Sequence, residues 1–222
     1  SRTQLLADVS AGKALAAAEQ AEWTRVEGRM EQLCNTAHAR GVRLMVDAEE
    51  SWLQPAIDAL VERMMARYNT QRAIVFNTVQ LYRHDRLAFL RESHARAVAG
   101  GYHLGVKLVR GAYMEKERER AAEHGYTSPI HADKAAVDHD YDAAVRFCVD
   151  HLDRVELMAG THNEQSSLQL ARLMQERGIA HDDARICFGQ LLGMSDNISF
   201  NLAAAHYRVA KYVPYGPVRE VL

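Results

Sequence analysis

Five stretches of the chain combine residue types able to do chemistry at spacings that could bring them to one rim. Asp47 and Glu49 stand two apart behind a short apolar run, so strand parity aligns both carboxylates with Met45. Asp47 as a helix cap with Glu49 in solvent accounts for the pair equally well. The run KLVRGAY places Lys107, Val109 and Gly111 on one face, joined by Tyr113 if the chain stays extended. A buried unpaired ammonium is costly, so Lys107 must meet a carboxylate, a cofactor or solvent at a sheet edge. Helical stretches flank this strand on both sides, which fits poorly with an edge lysine and favours a working one. Thr161, His162 and Asn163 follow a strand and precede a helix, a junction whose free amides and positive helix end suit a phosphate. A plain helix cap by Asn163 with His162 packed is the alternative. The run GQLLGM, with Gln190 and Leu191 between glycines at 189 and 193, would let backbone approach a flat ligand, with Leu191 and Met194 as apolar walls. It also reads as an ordinary turn into a cap at Ser195 or Asp196. The segment 211–216, KYVPYG, brings the phenol of Tyr212 to the same rim. Eleven histidines raise a metal question, but the absence of HExxH and of any His/Cys cluster argues against zinc; GxSxG and the P-loop are absent too. Together these residues make a polar rim with one interior lysine, and no reaction.

Positioning such a rim needs strands, and six candidates follow one another in the chain: 42–47, 73–77, 105–109, 155–160, 185–189 and 209–213. Amphipathic stretches separate them, such as 52–68, where Leu53, Ile57, Leu60, Val61 and Met64 recur at helical spacing. Strand, helix, strand order predicts an α/β fold with right-handed crossovers and a parallel sheet, open and doubly wound or closed into a barrel. Two observations lean towards the (βα)8 barrel: no GxGxxG follows the first strand, and the polar residues gather at the C-terminal ends of several strands. Six strands are two short of eight, and residues 15–40 read as a helix ended by Gly41. The whole of 1–222 reads as one domain, with 1–40 an N-terminal helical segment and 41–222 the barrel. The least regular region, 114–142, carries the charge run EKERER and reads as a solvated helix and connecting loop.

A length of 222 residues and a 48% hydrophobic share support a substantial core and exclude a disordered tail. A formal charge of -2 supplies no basic excess for a nucleic acid or an anionic bilayer. The longest apolar runs fall far short of the roughly 20 residues that cross a bilayer. Three cysteines, widely separated and without CxxC, argue for a reducing compartment and against a disulfide framework.

The segments MVDAEE (45–50), FNTVQ (76–80), KLVRGAY (107–113), THNE (161–164), FGQLLGM (188–194) and KYVPYGPV (211–218) together resemble proline dehydrogenase, in the order and spacing of that family. The likeness runs from Gly41 to the last residue and is stronger to the monofunctional, mitochondrial-type members than to the catalytic domain of bifunctional bacterial proteins. It implies a distorted (βα)8 barrel holding non-covalent FAD, which oxidises L-proline to Δ1-pyrroline-5-carboxylate and passes electrons to a membrane quinone. Cytoplasmic placement with peripheral contact to the inner membrane is implied, or the matrix side of a mitochondrion. Residue by residue, the resemblance puts Asp47 and Tyr113 in the substrate pocket, with Leu191 and Tyr212 around the proline ring. It sets Lys107 at the reactive edge of the flavin, in the company of Val109 and Gly111, and Asn77, Gln80 and Gln190 along the isoalloxazine. Thr161, His162 and Asn163 hold the adenosine and pyrophosphate portion. Hydroxyproline oxidation by a relative is the nearest alternative, opposed by Tyr212, where such relatives carry a smaller residue; a flavin-free barrel binding module is the other. Two family features have no counterpart in these residues. One is a lysine on the first barrel strand that pairs with the aspartate at 47. The other is a YxxRRxxE helix, whose arginines bind the substrate carboxylate, expected after Leu222.

Overall fold

The computed structural model describes residues 2–216. Helices α1 (Arg2–Ser10) and α2 (Ala17–Arg40) lead into β1 (Leu44–Val46), α3 (Gln54–Tyr68), β2 (Val75–Gln80), α4 (Arg86–Gly100) and β3 (Leu104–Val109). Two helices follow, α5 (Met114–His124) and α6 (Lys134–Asp150), then β4 (Val155–Gly160), α7 (Glu164–Glu176), β5 (Ile186–Leu191), α8 (Asp196–Ala204) and β6 (Val209–Tyr212). Local chemistry sets the ends. Gly41 takes φ 63° and closes α2 with its N–H on the carbonyls of Ala37 and His38. Pro55 opens α3, where its missing N–H costs nothing. Asp133 caps α6 and Asn163 caps α7, each carboxyl or amide oxygen accepting a backbone N–H three residues on.

The sheet is parallel throughout and its strands lie in chain order, β1 to β6. A doubly wound sheet reverses its strand order partway; this one never does. Right-handed crossovers repeated in one direction lay the helices on one face and curl the sheet away from them into a half-barrel of the (βα)8 type. The expected choice between open sheet and barrel is settled by this order. Along each strand, alternate residues point at the helices: Val75, Val106, Leu108, Leu157, Ile186 and Phe188 are all at most 1% exposed and join one core with α3, α6 and α7. The other parity faces the concave side.

The expected strands are found with shifted ends. β2 runs three residues past 77, because Thr78, Val79 and Gln80 pair with Lys107, Leu108 and Val109. β1 begins at Leu44 rather than 42, since the ladder with β2 starts there and Val42 is left exposed. The region 114–142 holds a helix, a loop and the start of α6, which the Asp133 cap initiates inside the stretch read as loop. Helix α1, separate from α2 within the expected helical segment 1–40, docks on α3 through Ser10, whose hydroxyl donates to the Leu53 carbonyl and accepts from the Ala56 N–H, both at 3.0 Å. Cys34, Cys148 and Cys187 are free and buried. Among the described residues no helix is long and apolar enough to cross a membrane.

Candidate functional site

The C-terminal ends of the strands open on a cleft of about 880 Å³ on the concave side, within the usual size of small-molecule sites. Parallel register stacks its lining in layers. Thr78, Lys107 and Met158 are neighbours across β2, β3 and β4. One layer nearer the mouth, Gly160, Gly189 and Ala210 are neighbours across β4, β5 and β6. These three leave the wall almost free of side chains. A Cβ on Gly189 would stand 2.8 Å from Met158 Sδ, and one on Gly160 3.1 Å from Val109 Cγ1, so the flat surface exists only because both are glycine.

β3 is an interior strand, so Lys107 is not an edge guard. Its Nζ donates to Asp47 Oδ1 at 2.7 Å, and the same oxygen accepts from the Thr78 hydroxyl at 2.8 Å. The ammonium lies 5.8 Å from the ring centre of Tyr212. Met45, Asp47 and Glu49 all line the cleft, as strand parity requires. Glu49 does not reach solvent freely: its Oε2 accepts the Ala112 N–H at 3.1 Å, and its own carbonyl accepts from the Tyr82 hydroxyl at 2.9 Å. Burial raises the Glu49 carboxyl above its ordinary value; the Ala112 N–H opposes this and the Asp47 charge adds to it.

The far end of the cleft is cationic. Arg110 is the hub there, donating to Asp138 at 2.9 Å, to the Thr161 hydroxyl at 2.8 Å and to the Ser166 hydroxyl at 2.9 Å, with its guanidinium 4.2 Å from the Tyr141 ring centre. Thr161 is buried and also accepts the Asn163 N–H. His162 is exposed to the cleft, its Nδ1 hydrogen-bonded to the Ser195 hydroxyl at 3.0 Å, and partial burial and then Lys211 lower its pKa, so it is neutral near pH 7. Asn163 does cap α7; its amide oxygen accepts the Ser166 N–H at 3.1 Å. Lys211 pairs with Asp196 at 2.7 Å and donates to the Met194 carbonyl, pinning the loop after β5. Gln190 faces α8, accepting from Ser199 and donating to the Thr161 carbonyl. Leu191 and Tyr212 stand in register at the mouth, 41% and 54% exposed.

Val109, Gly111, Gln190, Leu191 and Tyr212 thus join Asp47, Lys107 and the 161–163 triplet around one cleft. Three expected site residues stand apart. Asn77 and Gln80 are buried but do not line the cleft. Asn77 Nδ2 donates to Asp58 on α3, and Gln80 Nε2 to Gln54 and to the Ala48 carbonyl, which ties the Asp47–Glu49 loop to β2. Tyr113 leaves the parity of Lys107 because Gly111, at φ 112° with Tyr82 filling the space of a Cβ, turns the chain into α5; the phenol lies beside Lys116 instead. Sequence reasoning passed over Arg110 and Thr78. The second cation of KLVRGAY was visible, but its three partners come from α6, α7 and the end of β4. No group of three or more His, Cys, Asp or Glu is placed to hold a metal among the described residues.

A parallel half-barrel with a polar cleft at its strand C-termini, an interior lysine–aspartate pair and a side-chain-free wall has its cleft where (βα)8 enzymes place their sites. The chain belongs to the proline dehydrogenase family, whose model matches residues 2–222. It is 42% identical to human mitochondrial proline dehydrogenase 1, over 92% of this chain and 34% of that protein. Human hydroxyproline dehydrogenase is 38% identical over 92% of this chain and 46% of that protein. The chain therefore spans about a third to a half of the length of these relatives. Proline utilization A from Bdellovibrio bacteriovorus, inactivated by N-propargylglycine, superposes with a TM-score of 0.81 at 19% identity, covering 88% of this chain and 20% of that one.

Proposed function

We propose that this chain forms a catalytic barrel that binds FAD and oxidises L-proline to Δ1-pyrroline-5-carboxylate, with the electrons handed on to a membrane quinone. Family membership supports the reaction class. The observation that carries the site is the wall of Gly160, Gly189 and Ala210 set between the Lys107–Asp47 pair and the end that carries Arg110 and Lys211, with the neutral His162 ring beside them. A flat ring system needs such a wall, and an anionic tail needs such an end. The donor set therefore fits a flavin dinucleotide. When bound, that group would supply a two-electron acceptor for a hydride.

The residues of this chain do the rest. Met158 and Val109 border the wall, and Leu191 and Tyr212 close the mouth over a small ring, excluding water and holding the substrate in one orientation. Lys107 places a fixed cation where negative charge develops as the hydride moves, and Asp47 with Thr78 fixes the position of that ammonium. Arg110, held on three elements, and His162 would hold the anionic portion of that group. Peripheral contact with the membrane that carries the quinone belongs to the same proposal, at the inner bacterial membrane or on the matrix side of a mitochondrion.

The test is spectroscopic. The purified protein should show flavin absorption bands that bleach when L-proline is added without oxygen; failure to take up FAD would instead favour a flavin-free binding module. Kinship to hydroxyproline dehydrogenase makes that substrate the second reading. The Tyr212 ring at the mouth, 5.8 Å from Lys107, takes up room a ring hydroxyl would need. Tyr212→Ser should narrow the ratio of proline to hydroxyproline turnover, about tenfold if one hydrogen-bond-sized gap opens. An unchanged ratio would remove Tyr212 from beside the ring.

A further inference from the structure

Oxidation of an amino acid with a secondary amine requires that the nitrogen lose a proton, because a protonated amine has no lone pair with which to expel a hydride from the adjacent carbon. Two carboxylates line the cleft. Asp47 is already engaged: one of its oxygens accepts both the Lys107 ammonium and the Thr78 hydroxyl. Glu49 differs in surroundings. Its Oε2 accepts the Ala112 N–H at 3.1 Å, which orients the group, and among the described residues no cation lies within ion-pair distance of it. The loop that carries it is clamped from three sides. Tyr82 donates to its carbonyl, Gln80 to the Ala48 carbonyl, and Glu117 on α5 accepts the Ser51 N–H and hydroxyl at 2.6 Å each. A carboxylate this firmly held, lining a cleft and unmatched by a cation, is placed to receive one from the ligand.

We propose that Glu49 is the proton acceptor for the substrate amine. This rests on the proline reading above. The substrate enters as the ammonium form, which pairs with the Glu49 carboxylate. One N–H proton passes to Glu49 Oε1 and leaves a neutral amine. The neutral amine can then use its lone pair to form the C=N bond of the product as C5 loses a hydride, with both electrons of the C–H bond, to the two-electron acceptor that FAD would supply when bound. Glu49 afterwards releases its proton to solvent once the product has left the cleft.

The groups that set the titration of Glu49, besides burial, are the Ala112 N–H, Asp47 and Glu50 on its own loop and Lys107 on β3; facing the same loop are the Tyr82 phenol, which donates to the Glu49 carbonyl, Lys116, which pairs with Glu50, and Glu117, which accepts from Ser51. Burial outweighs them and raises Glu49 above its ordinary value of 4.5, which moves it towards the range in which a base works near neutral pH. A purely structural role, latching Ala112, is the competing account. Glu49→Gln separates the two, since the amide oxygen still accepts the Ala112 N–H while the side chain takes no proton.

The experiment compares FAD-loaded full-length protein with its Glu49→Gln variant. Single-turnover flavin reduction by L-proline is followed against pH. The parent should rise through one acid limb to a plateau. The variant, dependent on proline already neutral in solution, should be slower by roughly 10²–10⁴ near neutral pH and gain about tenfold per pH unit as the solution becomes alkaline. A second measurement needs no turnover: L-proline binding to the dithionite-reduced proteins should weaken about tenfold in the variant. The analogue with oxygen in place of the ring nitrogen should bind both alike. Identical pH profiles would overturn the assignment to Glu49 while leaving the proline reading standing, as would equal losses of both ligands. A parent whose flavin proline does not reduce would overturn that reading and this one with it. Glu49→Ala, which also drops the Ala112 latch, should be no faster than Glu49→Gln; a faster Ala variant would likewise sink the proposal.

Discussion

Lys107 is the residue on which the chemistry of the cleft converges, because among the described residues its ammonium is the one cation set on the concave face of an interior strand. Its partner Asp47 is half exposed, so the pair contributes little stability, well under about 1 kcal/mol. Lys107→Met should therefore fold and melt like the parent. Flavin reduction by proline should nonetheless slow by about 10²–10³, the usual effect of removing one preorganised charge from the place where charge develops. Stopped-flow absorbance decides it; an unaltered rate would take Lys107 out of the mechanism. His162 is the companion case at the other end. Its ring faces the cleft and is hydrogen-bonded to the Ser195 hydroxyl, so His162→Ala should lose FAD on gel filtration with little change in melting temperature. Full flavin with weakened proline binding would place His162 at the wrong end of the site.

Helix α7 shows how an element and a site depend on each other. Asn163 closes its N-terminus, and Arg110 ties that first turn, through Ser166, to α6 and to the end of β4. Asn163→Ala should cost about 1 kcal/mol of stability for the lost cap, in addition to any lost flavin, which distinguishes it from His162→Ala in a urea titration. The Arg110 hub also predicts an acid sensitivity. Burial by itself would raise Asp138, but hydrogen bonds from Lys134 and Arg110 outweigh it and hold the carboxyl below its ordinary 3.8. A lowered folded-state value means the stability is complete above the ordinary value and is lost as pH falls through the folded one. Asp138→Asn should thus be less stable than the parent near neutral pH, and the gap should close as pH falls below the ordinary carboxylate value of 3.8. A gap that persists in acid would show that the charge on Asp138 is not what the hub uses.

At the scale of the whole molecule, the cleft is built from the loops after β1, β3 and β4 and from the faces of the strands, so a ligand that fills it bridges elements far apart in the chain. Such a ligand stabilises by mass action. FAD at about 100 times its dissociation constant should add about 2.7 kcal/mol, which for a chain of this size raises the melting temperature by roughly 5–10 °C. Differential scanning fluorimetry with and without FAD measures it. An unmoved transition, or the same rise with any adenine nucleotide, would mean that the flat wall of Gly160, Gly189 and Ala210 is not where the ring lies.

The strand and helix order, the parity that turns Met45, Asp47 and Glu49 or Lys107 and Val109 to one side, and the Gly41 and Asn163 caps were all determined by the sequence itself, because each depends on residues within a turn or two of one another. The six motifs also carried the family, since their order survives without any knowledge of the fold. What lay beyond was everything that depends on register and on the direction of the crossovers. The half-barrel rather than an open sheet, the extension of β2 to Gln80, and the turning of Asn77 and Gln80 towards α3 follow from which strand lies beside which. Lys107 meets Asp47 across 60 residues and Arg110 meets Thr161 across 51, so neither pair leaves a mark in local spacing. Only the tertiary structure decided them: a strand's two faces are set by its own alternation, but its neighbours are set by long-range pairing, which no short window of sequence contains.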